Sequence, residues 1–320
     1  MSEKDLTLYT TPLTAEQAAK LKQLLQGDDF QFETKPYMLF FGKKGKLSIA
    51  VYEKGPKAVI QGKGTGEFVQ FRLEPEILGE AKLGYEEVHN PEAFTPHFGI
   101  DESGKGDFFG PLVIAGAYVD GEIARQFMDG GIQDSKRIGS DRRIRELAAM
   151  IRATRGVVYS VVEIKPFKYN ELYRKIGNLN RLLAWGHARV IENLLTTRPD
   201  CPRALSDQFA NPKLIERALM KNGRAIELQQ RTKAESDFAV AAASILARER
   251  FIDWLENAGK QYGQTIPRGA SAEVKRVARA LADQHSPEIL EQVAKTHFKT
   301  ASEISPERFP PKPEAEEYNR

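Results

Sequence analysis

The sequence has little of several features that would define whole classes of protein. Its 320 residues contain a single cysteine, Cys201. A lone cysteine cannot form an internal disulfide or a cysteine-rich zinc site, which favours a reducing compartment. The longest apolar stretch, residues 238–247, has about half the length that a membrane helix needs. The opening Met-Ser-Glu-Lys-Asp also lacks the basic-then-apolar pattern of a signal peptide. We therefore expect a cytoplasmic protein with no membrane partner.

A strong excess of charge of one sign is also missing. The chain has 47 Lys+Arg against 44 Asp+Glu, a formal net charge of +3. Its apolar content of 41% is ordinary once glycine is added, which excludes global disorder, a collagen repeat and a coiled coil. The length predicts roughly two domains. A total near zero can conceal unequal halves, so the distribution of charge matters more than the sum.

Residues 1–80 have the pattern of a small α+β domain. A helix is predicted over 14–26, where Thr14 and Gln17 form a capping pair and Gly27 ends the pattern. Three short runs of aromatic and β-branched residues, at 37–41, 47–52 and 58–61, then predict an antiparallel meander. A second helix is predicted over 67–78.

The predicted meander is basic. Between residues 35 and 63 there are seven lysines and one acid, Glu53, and aromatic residues lie between them. Phosphates attract cations and bases stack on rings, so this composition suits a nucleic-acid surface, with Lys43, Lys44 and Lys46 as candidate contacts. The same pattern is also typical of lysines that protect sheet edges over an aromatic core, and this segment alone does not separate the two.

The rest of the chain predicts a larger α/β domain. Residues 81–96 have little periodicity and are predicted to be a linker, and the Pro/Glu-rich residues 306–320 are predicted to be a disordered tail. Between them, strands that first follow one another and later alternate with helices predict a mixed sheet over 97–305. The predicted strands are 97–100, 110–119, 157–164, 203–206 and 225–228, and the predicted helices are 179–196, 213–221 and 237–255.

An acidic pair stands where a strand would enter the core. Asp101 and Glu102 follow apolar residues directly and precede Ser103-Gly104-Lys105-Gly106. Adjacent carboxylates in such a place are costly unless a cation compensates them, and Mg²⁺ prefers carboxylate oxygens. Since side chains alternate along a strand, both can share a site only where the strand ends, and the glycines supply that end. In isolation, a turn with solvated acids is the favoured explanation of the pair.

Two further acids strengthen the pattern. Asp207 ends a short predicted strand and Asp237 begins a long predicted helix. Each has an ordinary explanation, since Asp is common after strands and in the first turn of a helix. Acids at the ends of several apolar elements of one domain nevertheless indicate a shared metal site.

Residues 101–111, Asp-Glu-Ser-Gly-Lys-Gly-Asp-Phe-Phe-Gly-Pro, resemble the opening motif of type 2 ribonucleases H. Gly-Lys-Gly before Asp-Phe-Phe-Gly-Pro resembles the ribonuclease HIII branch, since ribonuclease HII typically has Gly-Arg-Gly. Residues 1–80 are similar to the TATA-box-binding-protein-like domain that members of this branch carry. Further similar motifs, which together extend the resemblance over about 97–300, lie at residues 134–136, 177–187, 206–209, 235–237, 241–249, 267–271 and 295–298.

The resemblance implies a ribonuclease H-like mixed sheet flanked by helices and an endonuclease that cuts the RNA strand of RNA/DNA hybrids. The products would carry 3′-hydroxyl and 5′-phosphate ends, and the enzyme would remove RNA primers and hybrids during replication and repair. It further implies two Mg²⁺ ions, with Mn²⁺ as a substitute. Asp101 would bridge both ions, and Glu102, Asp207 and Asp237 would complete the set.

Substrate contacts are implied as well. Gly104, Lys105 and Gly106 would contact the backbone at the scissile bond and sense the RNA 2′-hydroxyl, and Ser135 and Lys136 would add backbone contacts. His187, inside an apolar helix, is predicted to be a packing residue. We expect a monomer without an obligate protein partner.

Three alternatives remain at this point. Ribonuclease HII-type incision at single ribonucleotides is disfavoured by Lys105, by Asp107-Phe-Phe109 and by the basic N-terminal unit. A hybrid-binding protein without turnover is disfavoured by the presence of all four acids. A resolvase or transposase with the same type of sheet would also bind metal ions through carboxylates, but it would not carry these motifs.

Overall fold

The structure is a computed structural model. The residues that it describes are 6–79, 87, 90–132, 135–207, 213–219, 223–232 and 234–310. The chain forms two compact units, Met1–Glu92 and Ala93–Arg320. The division falls inside the predicted linker, of which residues 81–86 and 88–89 lie outside the described part.

The first unit contains a five-stranded antiparallel sheet in the order β1-β5-β4-β3-β2. Its strands are β1 (Leu8–Pro12), β2 (Gln31–Glu33), β3 (Met38–Lys44), β4 (Leu47–Tyr52) and β5 (Lys57–Gly62). Helix α1 (Ala15–Gly27) and helix α2 (Thr65–Phe68), which continues as a π-helix over Val69–Leu78, contribute to the core. The predicted meander corresponds to β3–β5, and β1 and β2 extend it on both sides.

Local signals explain both helices. Thr14 and Gln17 form a complete capping box at the start of α1. Leu21 and Leu25 of α1 and Leu73 of the π-helix are fully buried against Ile49 and Ile60 of the sheet. Pro75 lies inside the π-helix, where its missing N–H and its ring disfavour regular α-helical bonding.

The second unit contains a mixed five-stranded sheet in the order β10-β9-β6-β7-β8. Its strands are β6 (His97–Ser103), β7 (Leu112–Val119), β8 (Tyr159–Ile164), β9 (Arg203–Asp207) and β10 (Glu227–Arg231). β6, β7 and β8 are antiparallel neighbours, whereas β9 runs parallel to both β6 and β10. The predicted fold class, a mixed sheet flanked by helices after a small α+β unit, is confirmed.

Nine α-helices lie in the described part of this unit. They are α3 (Gly121–Gly130), α4 (Asp141–Ala153), α5 (Pro166–Ile176), α6 (Leu179–Thr197), α7 (Lys213–Ala218), α8 (Phe238–Tyr262), α9 (Ala272–His285), α10 (Ile289–Val293) and α11 (Lys299–Ile304). None of the helices in the described residues is long and apolar enough to cross a membrane.

Helices α8 and α6 cover opposite faces of the sheet. A Cβ on Gly99 of β6 would overlap the backbone of Ala239 in α8, whereas a Cβ on Gly116 of β7 would lie 2.6 Å from Val190 of α6. Gly116 pairs with Ile100, the residue after Gly99, so the two glycines face opposite sides. The absence of side chains at these positions lets both helices approach the strands closely.

The ends of this unit differ from the sequence expectations. Phe94, assigned to the linker, is buried in the core with its ring edge-on to Phe238. Phe309, assigned to the tail, is 7% exposed and belongs to the same core. Single aromatic residues in polar, proline-rich surroundings leave no periodic pattern, and burial of their large apolar area orders these segments. The rest of the predicted tail, residues 311–320, lies outside the described part.

Candidate active site

Asp101 and Glu102 are consecutive residues of β6 whose side chains contact opposite helices. The sequence predicts that the strand ends at this pair, but β6 continues to Ser103, which pairs with Val113. Regular alternation therefore directs Asp101 to Ser244 of α8 and Glu102 to His187 of α6. The two carboxylates flank the end of one strand instead of lying on a common face.

Asp101 is a buried carboxylate with little compensation. Its Oδ1 accepts a hydrogen bond from the Glu102 N–H at 2.8 Å. Burial, and then the charge of Glu102, raise the pKa of Asp101 from 3.8 to about 7, although Ser244, that N–H and the charge of Lys136 act in the opposite direction. A carboxylate in this state gains from any cation that binds beside it.

Glu102 has stronger local partners. Its Oε2 lies 3.1 Å from Nε2 of His187, and its Oε1 accepts from Nζ of Lys105 at 3.4 Å. Burial on its own would raise the pKa of Glu102, but His187 and Lys105 together lower it below its usual value. Glu102 therefore supplies negative charge at neutral pH beside the less acidic Asp101.

His187 is fully buried and connects β6 to β9. Its Nδ1 lies 3.0 Å from the Ser206 hydroxyl, which also lies 3.1 Å from the backbone oxygen of Asp207. Because a carboxylate oxygen only accepts, the Nε2–H of the ring donates to Glu102. The sequence predicts that His187 is a packing residue, whereas its two polar contacts orient an acid of the site. An apolar helical pattern does not reveal this role, because a buried histidine fits it as well as a leucine does.

Asp207 ends β9 beside the acidic pair. Ile100 and Ser206 are partners in the parallel pairing of β6 with β9, and Asp101 and Asp207 are the next residues of their strands. Oδ1 of Asp207 accepts from the Ala234 N–H at 3.3 Å. The half-buried Glu235 follows Ala234 directly in a 3₁₀ turn, so the next residue along the chain from this contact is a further acid.

Asp237 has a different environment from the other three predicted acids. Its carboxylate is the N-cap of α8, accepting from the Ala239 and Val240 N–H groups, and it lies 2.9 Å from Nε2 of His97. Ser244, which contacts Asp101, lies two turns further along α8, about 10 Å at 1.5 Å per residue. The structure thus brings Asp101, Glu102 and Asp207 to one edge of the sheet and holds Asp237 at the start of the helix.

The glycine-rich turn after β6 is tightly packed at one point and open at another. Gly104 has φ +86°, and a Cβ there would overlap the backbone oxygen of Pro111. Nothing lies within 4 Å of a Cβ on Gly106. The side chain of Lys105 is 37% exposed and its ammonium contacts Glu102. The turn therefore presents a cation next to the acidic pair.

Ser135 and Lys136 lie close to Asp101 but differ in exposure. The Ser135 hydroxyl is buried, 2.7 Å from that of Ser244, and the Ser135 carbonyl accepts from Arg248. Lys136 is exposed and its positive charge acts on Asp101. Lys136 is thus accessible to a ligand, whereas the Ser135 hydroxyl is buried and hydrogen-bonded to Ser244.

The three candidate lysines of the first unit lie on one hairpin. Lys43 and Lys44 end β3, Lys46 precedes β4, and all three are exposed. Nζ of Lys44 donates to the backbone oxygen of Asp28 at 2.7 Å, which leaves Lys43 and Lys46 as the more accessible charges.

The donor chemistry of the sheet edge suits a hard divalent cation. Asp101, Glu102, Asp207 and Glu235 offer carboxylate oxygens, the ligands that Mg²⁺ and Mn²⁺ prefer. In the described residues, no three His, Cys, Asp or Glu side chains converge as a complete metal site. The raised pKa of Asp101 is the observation that favours a cation here, because a positive charge would relieve the cost of its burial.

A mixed sheet of this topology, with acids at the ends of two neighbouring strands, is the arrangement expected of nucleases of the ribonuclease H class. A family model described as Ribonuclease HII matches residues 98–301. Two Ribonuclease HIII relatives are each 42% identical to this chain. The protein from Protochlamydia amoebophila covers 92% of this chain and 96% of its own length, and that from Chlamydia felis covers 93% and 97%. The chain therefore belongs to the ribonuclease HIII family and is a ribonuclease H enzyme.

The solved structures agree with this assignment. The crystal structure of Bst-RNase HIII in complex with Mn²⁺ covers 93% of this chain and 99% of its own, with a TM-score of 0.63 and 27% sequence identity. That of Aquifex aeolicus RNase H3 gives a TM-score of 0.51 at 27% identity over 90% of this chain. The family resemblance predicted from the motifs is confirmed.

Proposed function

We propose that this protein is an endonuclease that hydrolyses the RNA strand of RNA/DNA hybrids with the help of divalent metal ions. The observation that carries the proposal is the buried Asp101, raised in pKa beside Glu102 and adjacent to Asp207 at the end of a neighbouring strand. Membership of the ribonuclease HIII family supports the substrate class, and the Mn²⁺ complex of Bst-RNase HIII supports the metal.

Mg²⁺, or Mn²⁺ in its place, would activate a water and neutralise the leaving 3′ oxygen, which two ions do together in many nucleases. Asp101, Glu102 and Asp207 would hold the ions, with Asp101 between the other two acids. For the fourth carboxylate the geometry favours Glu235, which follows the residue bonded to Asp207, over Asp237, whose oxygens are engaged with a helix end and His97. In-line attack leaves 3′-hydroxyl and 5′-phosphate ends.

The glycine-rich turn would read the RNA strand. Backbone N–H groups of Gly104 and Gly106 can approach a sugar–phosphate backbone closely, and Lys105 places a point charge beside it. A contact to the 2′-hydroxyl in this turn would distinguish RNA from DNA. Lys136 would hold a neighbouring phosphate, and Ser135 would support it from within the protein through Ser244 and Arg248.

The first unit would add affinity for the hybrid through phosphate contacts from Lys43, Lys46 and, to a smaller extent, Lys44. Such contacts carry little sequence preference, which suits the removal of RNA primers and hybrids during replication and repair. On this proposal the protein acts as a monomer on its substrate.

The test uses two labelled duplexes, a continuous RNA/DNA hybrid and a DNA duplex with one embedded ribonucleotide, each incubated with Mg²⁺ or Mn²⁺. We expect cleavage of the hybrid, abolished by Asp101→Asn with hybrid binding nearly intact. Incision of only the second duplex would assign ribonuclease HII-type activity. Cleavage of neither, with tight binding of the hybrid, would assign a binding protein.

A further inference from the structure

Lys295 is a fully buried lysine whose ammonium is satisfied by the backbone. Its Nζ donates to the carbonyl oxygens of Asp107 at 2.8 Å, Phe109 at 3.3 Å and Gly110 at 2.7 Å. Lys295 is 0% exposed. Burying an ammonium is costly unless its donors are matched, and here three N–H groups meet three acceptors. All three acceptors belong to the segment 107–110, directly after the glycine-rich turn.

Other contacts hold the same segment from two sides. The Gly110 N–H donates to the Val293 oxygen at 2.9 Å, and the Gly269 N–H donates to Oδ1 of Asp107 at 2.6 Å. The segment 107–110 is therefore fixed between the end of α10 at Val293 and the loop at Gly269.

This segment packs directly on the turn that carries Lys105. Gly104 lies so close to the Pro111 oxygen that a Cβ would overlap it. The ring of Phe251 lies against both Gly104 and Gly110, since a Cβ on either would be 2.9 or 2.8 Å from Cε2. Residues 110 and 111 are therefore in close contact with Gly104, directly or through the ring of Phe251.

We propose that Lys295 is a positioning residue for hybrid cleavage: it fixes residues 107–110, and through them the turn 104–106, in the position that aligns Lys105 with the scissile backbone. The inference rests on the function proposed above for this turn. It assigns a role to a residue about 190 positions away in the sequence from the turn that it orders.

The role calls for a long side chain that ends in several N–H donors. A methionine of similar length would leave three buried carbonyl oxygens without their donor, and they would move to recover hydrogen bonds. A misplacement of about 1 Å at reacting groups costs on the order of 100-fold in rate. Loss of the ammonium should therefore reduce turnover more than substrate affinity, since Lys43, Lys46 and Lys136 remain.

A double-mutant cycle tests the proposal in the full-length protein. Lys295→Met, Lys105→Ala and the double variant are compared in kcat on a continuous RNA/DNA hybrid and in Kd for the same hybrid in EDTA. We expect Lys295→Met to lower kcat by about 10- to 100-fold with a much smaller change in Kd. Because both residues act through one turn, the double variant should lose clearly less than the product of the single losses.

Ile151→Ala is the control for general destabilisation, because Ile151 is fully buried in α4, which supplies none of the hydrogen bonds to residues 107–110 named above. It should lower Tm and leave kcat unchanged well below the midpoint. If Lys295→Met does not fold, Lys295→Gln, which retains two N–H donors, takes its place in the cycle.

The inference is overturned if the fold-losses in kcat of the two single variants multiply in the double variant. It is also overturned if Lys295→Met and Ile151→Ala have the same kcat at matched stability. Neither result would affect the proposed function. The proposed function fails separately, if the unaltered protein does not cleave the hybrid.

Discussion

Nε2 of the buried His187 lies 3.1 Å from Oε2 of Glu102 and joins the middle of α6 to the acidic end of β6. The other ring nitrogen lies 3.0 Å from the Ser206 hydroxyl, one residue before Asp207. One imidazole thus contacts the side chain of one proposed metal ligand and the neighbour of another. Partners of this kind fix the orientation of ligands and commonly determine metal affinity.

We predict that His187→Leu weakens activation by Mg²⁺. Without His187, Glu102 keeps only the longer contact with Lys105, and loss of an orienting partner typically costs about 10- to 100-fold in metal affinity or activity. The measurement is the Mg²⁺ concentration for half-maximal hybrid cleavage. Trp185→Phe, on the exposed side of the same helix, is the matched control. A His187→Leu variant with an unaltered Mg²⁺ requirement would exclude this role.

Asp101 predicts a specific pH dependence of stability in the metal-free protein. Burial raises its pKa to about 7 in the folded state, against an ordinary value of 3.8 in the unfolded chain. The folded state therefore binds more protons between these pH values, and this contribution, present below about pH 4, is lost as pH rises through 7. At about 1.4 kcal/mol per unit of pKa, the loss is on the order of 4 kcal/mol at most.

Asp101→Asn should remove this slope. In urea unfolding with EDTA, the variant should gain stability over the parent as pH rises from 5 to 8. Added Mg²⁺ should stabilise the parent at pH 8 and the variant much less. If the stabilities of the two proteins change with pH in parallel, the charge of the buried Asp101 carboxylate is already compensated within the protein.

The sequence predicts the fold better than it predicts the contacts within the site. Apolar runs placed β6, β7 and α8 because their periodicity follows directly from burial. The short, polar β2 lacks any such pattern, since all three of its residues are exposed. Asp237 stood out because it opens an apolar helix, but the same position is explained by an N-cap. The partners His97 and His187 arise from packing between distant segments, which no local pattern records.

Glu235 and Asp237 give opposite predictions for two similar substitutions. Glu235→Gln should reduce hybrid cleavage strongly and change stability little, because Glu235 is the proposed fourth metal ligand and is only half-buried, directly after the residue whose N–H contacts Asp207. Asp237→Asn should cost about 1–3 kcal/mol of stability, because a buried charged hydrogen bond to His97 is lost while the cap is largely retained. Cleavage rates at saturating Mg²⁺ and urea unfolding distinguish the two. If Asp237→Asn abolishes cleavage and Glu235→Gln mainly lowers stability, Asp237 is the metal ligand instead.

Lys43 and Lys46 should carry part of the salt dependence of hybrid binding. Changing both to glutamine should reduce the slope of log K against log salt concentration by about 2, because each phosphate contact releases roughly one counterion. The control is Lys20 and Lys22→Gln, two exposed lysines on α1. Deletion of residues 1–80 should weaken binding further and flatten the slope. If the parent, the Lys43 and Lys46 variant and the Lys20 and Lys22 variant all have the same slope, the hairpin does not belong to the interface.

Gly99→Ala should separate β6 from α8. A Cβ at this position would overlap the backbone of Ala239 and Val240, so the helix has to move as a unit. Overpacking typically costs about 1–3 kcal/mol, and a backbone clash places this variant at the upper end. The shift would also carry Ser244 away from Asp101, so cleavage at saturating Mg²⁺ should fall even where the variant is fully folded.

Gly139→Ala is the matched control for this last variant, because nothing lies within 4 Å of a Cβ there. Urea unfolding and hybrid cleavage are measured on both proteins. We expect the control to retain parental stability and turnover. If Gly99→Ala unfolds at the parental urea concentration, the close approach of α8 does not set the position of Ser244, and its contact with Asp101 has to be maintained by Ser135 instead.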